Sequence, residues 1–206
     1  MARPFRRLLR FLQARFRSAR MRQFESLFRL TPGTRILDVG GTPHNWQYVG
    51  VRPRVTLLNN ERDTGPRSEV PADMGYVVGD ARALPFASGS FDIVYSNSVI
   101  EHVGGEDDQR RMAQEIARVG RSYYVQTPNR WFPVEPHIVT EPGVWRPLVH
   151  LLPRAWQRPL MPAWYAGIRL LRRSDVRRFF PGAEVHAERV VGLAKSFMAV
   201  RRPPAA

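Results

Sequence analysis

The chain has 206 residues, enough for one α/β domain with an additional element but too few for two catalytic domains. It contains no cysteine, which excludes a disulfide scaffold, a thiolate metal site and a cysteine nucleophile. The lack of cysteine also favours a reducing, cytoplasmic compartment. Thirty-two basic residues against 18 acidic residues give a net charge of +14, and Lys195 is the only lysine. We therefore expect an anionic partner or surface nearby.

The positive charge is concentrated in residues 1–30, which contain nine arginines and one glutamate. Phe and Leu recur there at three- and four-residue spacing, which predicts a basic amphipathic helix. Such a helix can lie on an anionic membrane surface, as a peripheral protein would, or pack its apolar stripe on the rest of the chain. Arginines interrupt every apolar run, so we expect neither a signal peptide nor a membrane span.

Residues 31–206 are expected to form the main domain, because short apolar runs that end in small or polar residues are typical of buried parallel strands. We predict five such strands and a closing pair at 35–40, 55–59, 76–80, 91–97, 122–127, 185–191 and 196–201. One helix is predicted to start at Asp107 or Asp108 and to stop at Gly120, and another to start at Ser174. This alternation predicts an α/β doubly wound sheet, which binds its ligand beyond the carboxyl ends of the strands.

Three of these strands end in small or polar residues, and a ligand could bind at the first of them. The first strand runs into Asp38-Val39-Gly40-Gly41, where glycine permits a sharp turn and the close approach of a ligand. Thr42 and Pro43 then suit the start of a helix. The third strand ends in Gly79-Asp80-Ala81, and the fourth runs into a loop rich in polar groups.

The strings LDVGG and GDARALPFASGSFDIVYSNSVIEHV, in this order and spacing, resemble the class I S-adenosylmethionine-dependent methyltransferases, in particular their small-molecule, type 11-like branch. The match runs from about Arg35 to Thr127, and the tail SDVRRFFPGAEVHAERVVGLAKSFMAV resembles the last helix and terminal strand pair of that family. The resemblance implies a Rossmann-like sheet of seven strands, mostly parallel with an antiparallel last strand. It also implies S-adenosylmethionine as cofactor and S-adenosylhomocysteine as product.

The resemblance assigns cofactor contacts to ten positions, which are Asp38, Gly40, Gly41, Thr42, Asn59, Glu61, Asp80, Ala81, Ser96 and Asn97. The glycine loop would lie under the methionine part, and Asn59 or Glu61 would reach the ribose hydroxyls. Asp80 and Ala81 would hold adenine, because a carboxylate accepts from its amine and a backbone amide donates to a ring nitrogen. Ser96 and Asn97 would line the edge near the methyl group.

The chain departs from the family pattern at two of these places. Thr42 and His44 stand where the family usually continues with alternating glycines, and Asn59 stands where an acidic residue is common. An alternative for Asn59 and Asp80 is that their side chains only cap turns at strand ends.

The acceptor side is expected to involve the loops after the fourth and fifth strands. His137 and His102, with Glu101 behind them, are candidate general bases, since imidazole has a suitable pKa. The alternative for each is a hydrogen-bonded structural residue. The interval at about 128–171 contains four tryptophans. It is interpreted as a lid-like insertion that covers the acceptor and, with the amino-terminal helix, faces a membrane or a lipid-like substrate, or else as local core.

Several other activities are compatible with parts of the sequence. The first loop lacks G-x-G-x-x-G, which disfavours a dehydrogenase, and no spacing indicates a metal site. The charge of +14 would suit RNA methylation, although no RNA-binding module is apparent. A catalytically inactive cofactor-fold module is a further alternative. We expect a methyltransferase acting on oxygen or nitrogen of a small-molecule or lipid-like acceptor, with nucleic acid the weaker alternative.

Overall fold

The computed structural model describes residues 3–60, 70–133 and 167–202, with the backbone alone for residues 3–13. The strands are β1 (Arg35–Val39), β2 (Arg54–Asn59), β3 (Gly75–Val78), β4 (Phe91–Asn97), β5 (Gly120–Pro128), β6 (Glu184–Val190) and β7 (Leu193–Arg201). The helices are α1 (Arg3–Phe28), α2 (Pro43–Trp46), α3 (Glu106–Val119) and α4 (Arg173–Phe179), with a 3-10 turn at Ile100–His102.

The seven strands form one sheet in the order β3-β2-β1-β4-β5-β7-β6. The neighbours from β3 to β5 are parallel, and β7 runs antiparallel to both β5 and β6. This confirms the predicted seven-stranded, mostly parallel sheet. The chain leaves β1 toward β2 on one side and adds β4 on the other, so the order reverses between β1 and β4. We call the edge at which β1 to β5 end the carboxyl edge, where such folds bind their ligands.

Helix α3 begins earlier than its acidic residues suggested. The predicted N-cap was Asp107 or Asp108, but the helix starts at Glu106 with Gly105 in the cap position. Asp108 instead accepts a hydrogen bond from the Gly105 amide at 3.3 Å. All three acidic residues therefore lie in the first turn, where the helix dipole favours negative charge.

Gly120 joins α3 to β5 without an intervening loop. Its backbone is extended (φ −94°, ψ 133°), and a Cβ atom there would lie 2.6 Å from the carbonyl oxygen of Ser122 and 2.7 Å from a methyl group of Val94. Gly120 was predicted as the residue that stops the helix. It does follow the last helical residue, but the requirement for glycine comes from this close packing.

The two faces of the sheet bury separate apolar cores. One face packs against α3 and α4 through residues such as Met112, Ile116 and Val176. The other face packs against α1, where Met21 and Phe24 have no exposed surface. For the side chains described from residue 14 onward, α1 is thus docked on the sheet, and its membrane role stays a prediction.

Phe24 lies at the centre of an aromatic group on the α1 face. Its ring lies 5.0 Å from that of Tyr95, 5.6 Å from that of Tyr124 and 6.1 Å from that of Trp46, all in tilted or edge-on arrangements that aromatic rings prefer.

Near the end of α1, the carboxylate of Glu25 accepts a hydrogen bond from the Gly50 amide at 3.0 Å. None of the helices in the described ranges is long and apolar enough to cross a bilayer.

Substitution Phe24→Ala tests the contribution of this docking to stability. We expect the free energy of unfolding to fall by about 3 to 5 kcal/mol, because a fully buried phenylalanine leaves a cavity. Urea unfolding measures the change, with Arg22→Ala, an exposed position on the same helix, as the control. Equal midpoints for the two variants would contradict a docked α1.

Candidate active site

A cavity of about 680 Å³ lies at the carboxyl edge, over the ends of β1, β2 and β3. Five of the candidate residues line it together, namely Gly40, Asn59, Asp80, Ala81 and His102. They come from four separate chain segments, and the parallel strands bring them together because their carboxyl ends meet at one edge. Among the described residues, no side chain fills this hollow.

The glycine loop that borders this cavity has no room for side chains. Gly40 has φ of +72°, and a Cβ atom there would lie 2.4 Å from a methyl carbon of Val99. A Cβ atom at Gly41 would lie 2.0 Å from the carboxyl group of Asp38. Both positions therefore require glycine, the first for its conformation as well as its size.

Asp38 is buried beneath this loop with one oxygen unsatisfied. The Trp46 indole donates to Asp38 Oδ2 at 2.9 Å, while Oδ1 has no hydrogen-bond partner among the described residues. Burial raises the pKa of Asp38 to about 7, against the opposing effect of the Trp46 hydrogen bond. An unpaired buried acceptor is costly, so this oxygen suits a cationic or donor group of a ligand. Trp46 was not singled out from the sequence, although it lies only eight residues after Asp38.

Asn59 positions the glycine loop. Its side-chain amide nitrogen donates to the Gly41 backbone carbonyl at 3.0 Å. Its backbone carbonyl accepts a hydrogen bond from the Gly79 backbone amide at 2.9 Å. These bonds tie the ends of β1, β2 and β3 together. The amide oxygen of Asn59 is an acceptor of the type that a ribose hydroxyl requires.

Asp80 is already paired within the chain. The Arg82 guanidinium donates from Nε and Nη2 to its carboxylate, the shortest contact being 2.6 Å, and Arg82 Nη1 also reaches Asp108 at 3.0 Å. The hydrogen bonds from Arg82 lower the pKa of Asp80. An adenine amine at this position would therefore share the carboxylate with Arg82, which also lines the cavity and was not singled out from the sequence.

Asp38 and Gly41, which lie just beneath the loop, are not among the residues that line the cavity, and three further candidate cofactor residues do not line it either. Ser96 is fully buried and donates to the Val39 carbonyl at 3.1 Å, which holds β4 to β1. The side-chain oxygen of Asn97 accepts from Arg20 of α1. Thr42 is exposed in the N-cap position of α2 and makes no side-chain capping bond. Their predicted contacts with a cofactor stay predictions.

The candidate bases occupy different environments. His102 is exposed on the cavity wall. Glu101 has no exposed surface, and its Oε2 accepts a hydrogen bond from the Thr127 hydroxyl at 3.1 Å. His137, Glu61 and most of the predicted lid lie outside the described residues.

Comparisons with known proteins agree with this arrangement. The family model of the methyltransferase domain matches residues 34–122. An uncharacterized methyltransferase of Mycobacterium sp. (strain KMS) is 39% identical over 101 residues, which cover 44% of this chain and 36% of the relative. An uncharacterized protein of Mycobacterium tuberculosis (strain ATCC 25618 / H37Rv) is 29% identical over 136 residues, 61% of this chain and 46% of that protein. The chain thus spans less than half the length of these relatives.

Solved structures show the same fold. The N-terminal domain of EvdMO1 with SAH bound matches with a TM-score of 0.55 at 20% identity, covering 89% of this chain and 79% of that one. Magnesium protoporphyrin IX methyltransferase from Synechocystis PCC 6803 with bound SAH matches with a TM-score of 0.53 at 13% identity, covering 89% and 80%. Over residues 34–122 the chain is thus similar to the methyltransferase domain family, and its sheet has the fold of the solved methyltransferase structures.

Proposed function

We propose that this chain transfers a methyl group from S-adenosylmethionine to an oxygen or nitrogen of a small-molecule or lipid-like acceptor. The observation that carries the proposal is the open cavity in which the glycine loop, Asn59, Asp80 and Ala81 meet. S-adenosylmethionine supplies an activated methyl group when bound, so alignment with the acceptor accounts for much of the expected rate enhancement.

Asp38 is the residue whose chemistry best fits the methionine end of the cofactor. Its Oδ1 is buried without a partner in the described part of the chain, directly under the loop that a ligand would touch. An α-ammonium group would satisfy this oxygen and favour its ionised form. At the other end, Asp80 and the backbone of Ala81 offer an acceptor and a donor to adenine.

Calorimetry with S-adenosylhomocysteine tests cofactor binding, with Asp80→Asn and Arg82→Gln as a matched pair. We expect Asp80→Asn to weaken binding by about 10- to 100-fold, the effect of losing a hydrogen bond to a charged group. Arg82→Gln should preserve or tighten binding, because it removes the internal partner of the carboxylate. No binding to the unsubstituted chain at millimolar ligand would instead favour an inactive module.

The raised pKa of Asp38 predicts a pH-dependent stability. The folded chain binds a proton at this carboxyl up to about pH 7, whereas in the unfolded chain the proton is lost near pH 4. The free energy of unfolding should therefore decline as pH rises from about 4 to 7, by on the order of 4 kcal/mol from this group. Chemical unfolding across this range measures it, and Asp38→Asn should remove that decline. Parallel profiles for the two proteins would refute the assignment.

Binding of the cofactor should also release a proton from Asp38. An ammonium group beside the carboxylate lowers its pKa, so part of the bound proton leaves near pH 6.5. Calorimetry in two buffers of different ionisation enthalpy detects the release, and Asp38→Asn is the control. A binding enthalpy independent of buffer in the unsubstituted chain would contradict this contact.

A screen of lipid, sugar and quinone-like acceptors with labelled methyl donor tests the transfer itself. For any acceptor found, His102→Ala should lower turnover by 10²- to 10⁴-fold if His102 is the general base, while affinity for S-adenosylhomocysteine stays nearly unchanged. His137→Ala is the parallel variant for the other candidate. Unchanged turnover in both variants would rule out His102 and His137 as the general base.

A further inference from the structure

A group of polar side chains joins α1 to the opposite end of the carboxyl edge. We call it the edge cluster, and it comprises Arg20, Asn97, Glu188, Lys195 and Ser196. Arg20 donates to the Asn97 amide oxygen and to both carboxylate oxygens of Glu188, at 3.4 and 3.3 Å. Glu188 Oε2 also accepts from Lys195 Nζ at 3.2 Å and from the Ser196 hydroxyl at 3.0 Å. One carboxylate thus serves two cations.

The edge cluster carries an excess positive charge in a largely buried place. The side chains of Arg20, Glu188 and Lys195 are only 10%, 14% and 19% exposed. Arg20 Nε is buried and has no hydrogen-bond partner in the ranges that the structure describes. Buried charges are normally compensated, and among the described residues one carboxylate faces two cations, so a second anion would stabilise the cluster.

Lys195 shows the effect of this imbalance. Burial lowers the pKa of its ammonium group, the Glu188 carboxylate opposes that shift, and Arg20 adds to it. The Phe16 ring lies 3.7 Å below the ammonium and offers only the weak attraction of its π face. An additional negative oxygen between Arg20 and Lys195 would stabilise both cations.

The cluster lies on the side of the sheet where an acceptor would approach. Asn97 is the last residue of β4, and Ser196 pairs with Pro128, the last residue of β5. The cofactor cavity borders the same edge on the far side of β4, over β1 to β3. The two sites are therefore neighbours along one edge, separated by the strand ends where methyl transfer would take place.

We propose that Arg20 and Lys195 bind an anionic oxygen group, a carboxylate or a phosphate, of the methyl acceptor. The inference rests on the proposed function for the identity of the ligand as an acceptor. Anion binding itself depends only on the edge cluster. In this proposal Arg20 places α1 at the acceptor site, in addition to the packing of α1 on the sheet.

The single lysine of the chain permits a direct test. In protein labelled with ¹³C at the lysine Cε, Lys195 gives the only labelled signal. Titration with methyl phosphate or acetate, at constant ionic strength set by sodium chloride, should shift this signal along a saturable curve with half-saturation at millimolar concentration. A shift that stays linear, or that chloride reproduces, would overturn the proposal and leave the edge cluster as an internal brace.

Substitutions on α1 identify the cation that shares the anion. Arg20→Met should raise the half-saturating concentration at least tenfold, whereas Arg22→Met, on the exposed side of the same helix, should leave it unchanged. If Arg20→Met does not fold, Lys195→Met replaces it, and the readout becomes the increase in melting temperature that methyl phosphate produces. Retention of that increase in Lys195→Met would contradict the assignment.

Two further measurements distinguish a lipid from a soluble anion and test the anion site separately from the proposed methyltransferase function. Vesicles of phosphatidic acid in phosphatidylcholine that shift the Lys195 signal more than methyl phosphate does would assign a lipid acceptor, and the reverse result a soluble one. Lys195→Met should bind S-adenosylhomocysteine with unchanged affinity. If the unsubstituted chain binds methyl phosphate but no S-adenosylhomocysteine, the anion site stands and the methyltransferase proposal fails. If the unsubstituted chain binds S-adenosylhomocysteine but not methyl phosphate, the anion site is refuted and the methyltransferase proposal stands.

Discussion

The contact between Gly40 and Val99 fixes the part of the sheet on which the cofactor cavity depends. It closes the gap between the loop after β1 and the loop after β4, the place where the strand order reverses. Any side chain at Gly40 would push these loops apart, and its positive φ adds a second reason for glycine. Gly41 is constrained in the same way, because a Cβ atom there would overlap the carboxyl group of Asp38 beneath the loop. At the glycine loop a ligand thus meets backbone rather than side chains, with the buried carboxyl group of Asp38 beneath it.

The sheet and the cavity could be predicted from the sequence because their signals are local. Each parallel strand is a short apolar run, and its end is marked by a small or polar residue, so the predicted and observed bounds differ by only a few residues. The same ends supplied Gly40, Asn59, Asp80 and Ala81, which the fold brings to one cavity. What these positions could not reveal was the internal pairing of their side chains. Arg82, only two residues from Asp80, occupies the carboxylate that was assigned to adenine.

The contacts of α1 could not be predicted, because they join residues far apart in the chain. A hydrophobic pattern predicts an apolar stripe but does not identify the surface that covers it. The helix docks through Phe24 on rings from β4 and β5, and Arg20 pairs with Glu188, which lies 168 positions later. Lys195 was notable in the sequence only as the single lysine. The neighbours of Lys195 can be identified only when β6 and β7 are placed beside β5. The same holds for the excess positive charge of the edge cluster.

The direct passage from α3 into β5 at Gly120 limits how this domain can change in evolution. One inserted residue would rotate the preceding helix by about 100° about its axis, or exchange the two faces of the following strand. Either change would expose a buried stripe. Length variation should therefore be tolerated in the connections at the carboxyl edge and excluded at this junction. New acceptor specificities would then arise by remodelling the loops around an invariant helix and strand unit.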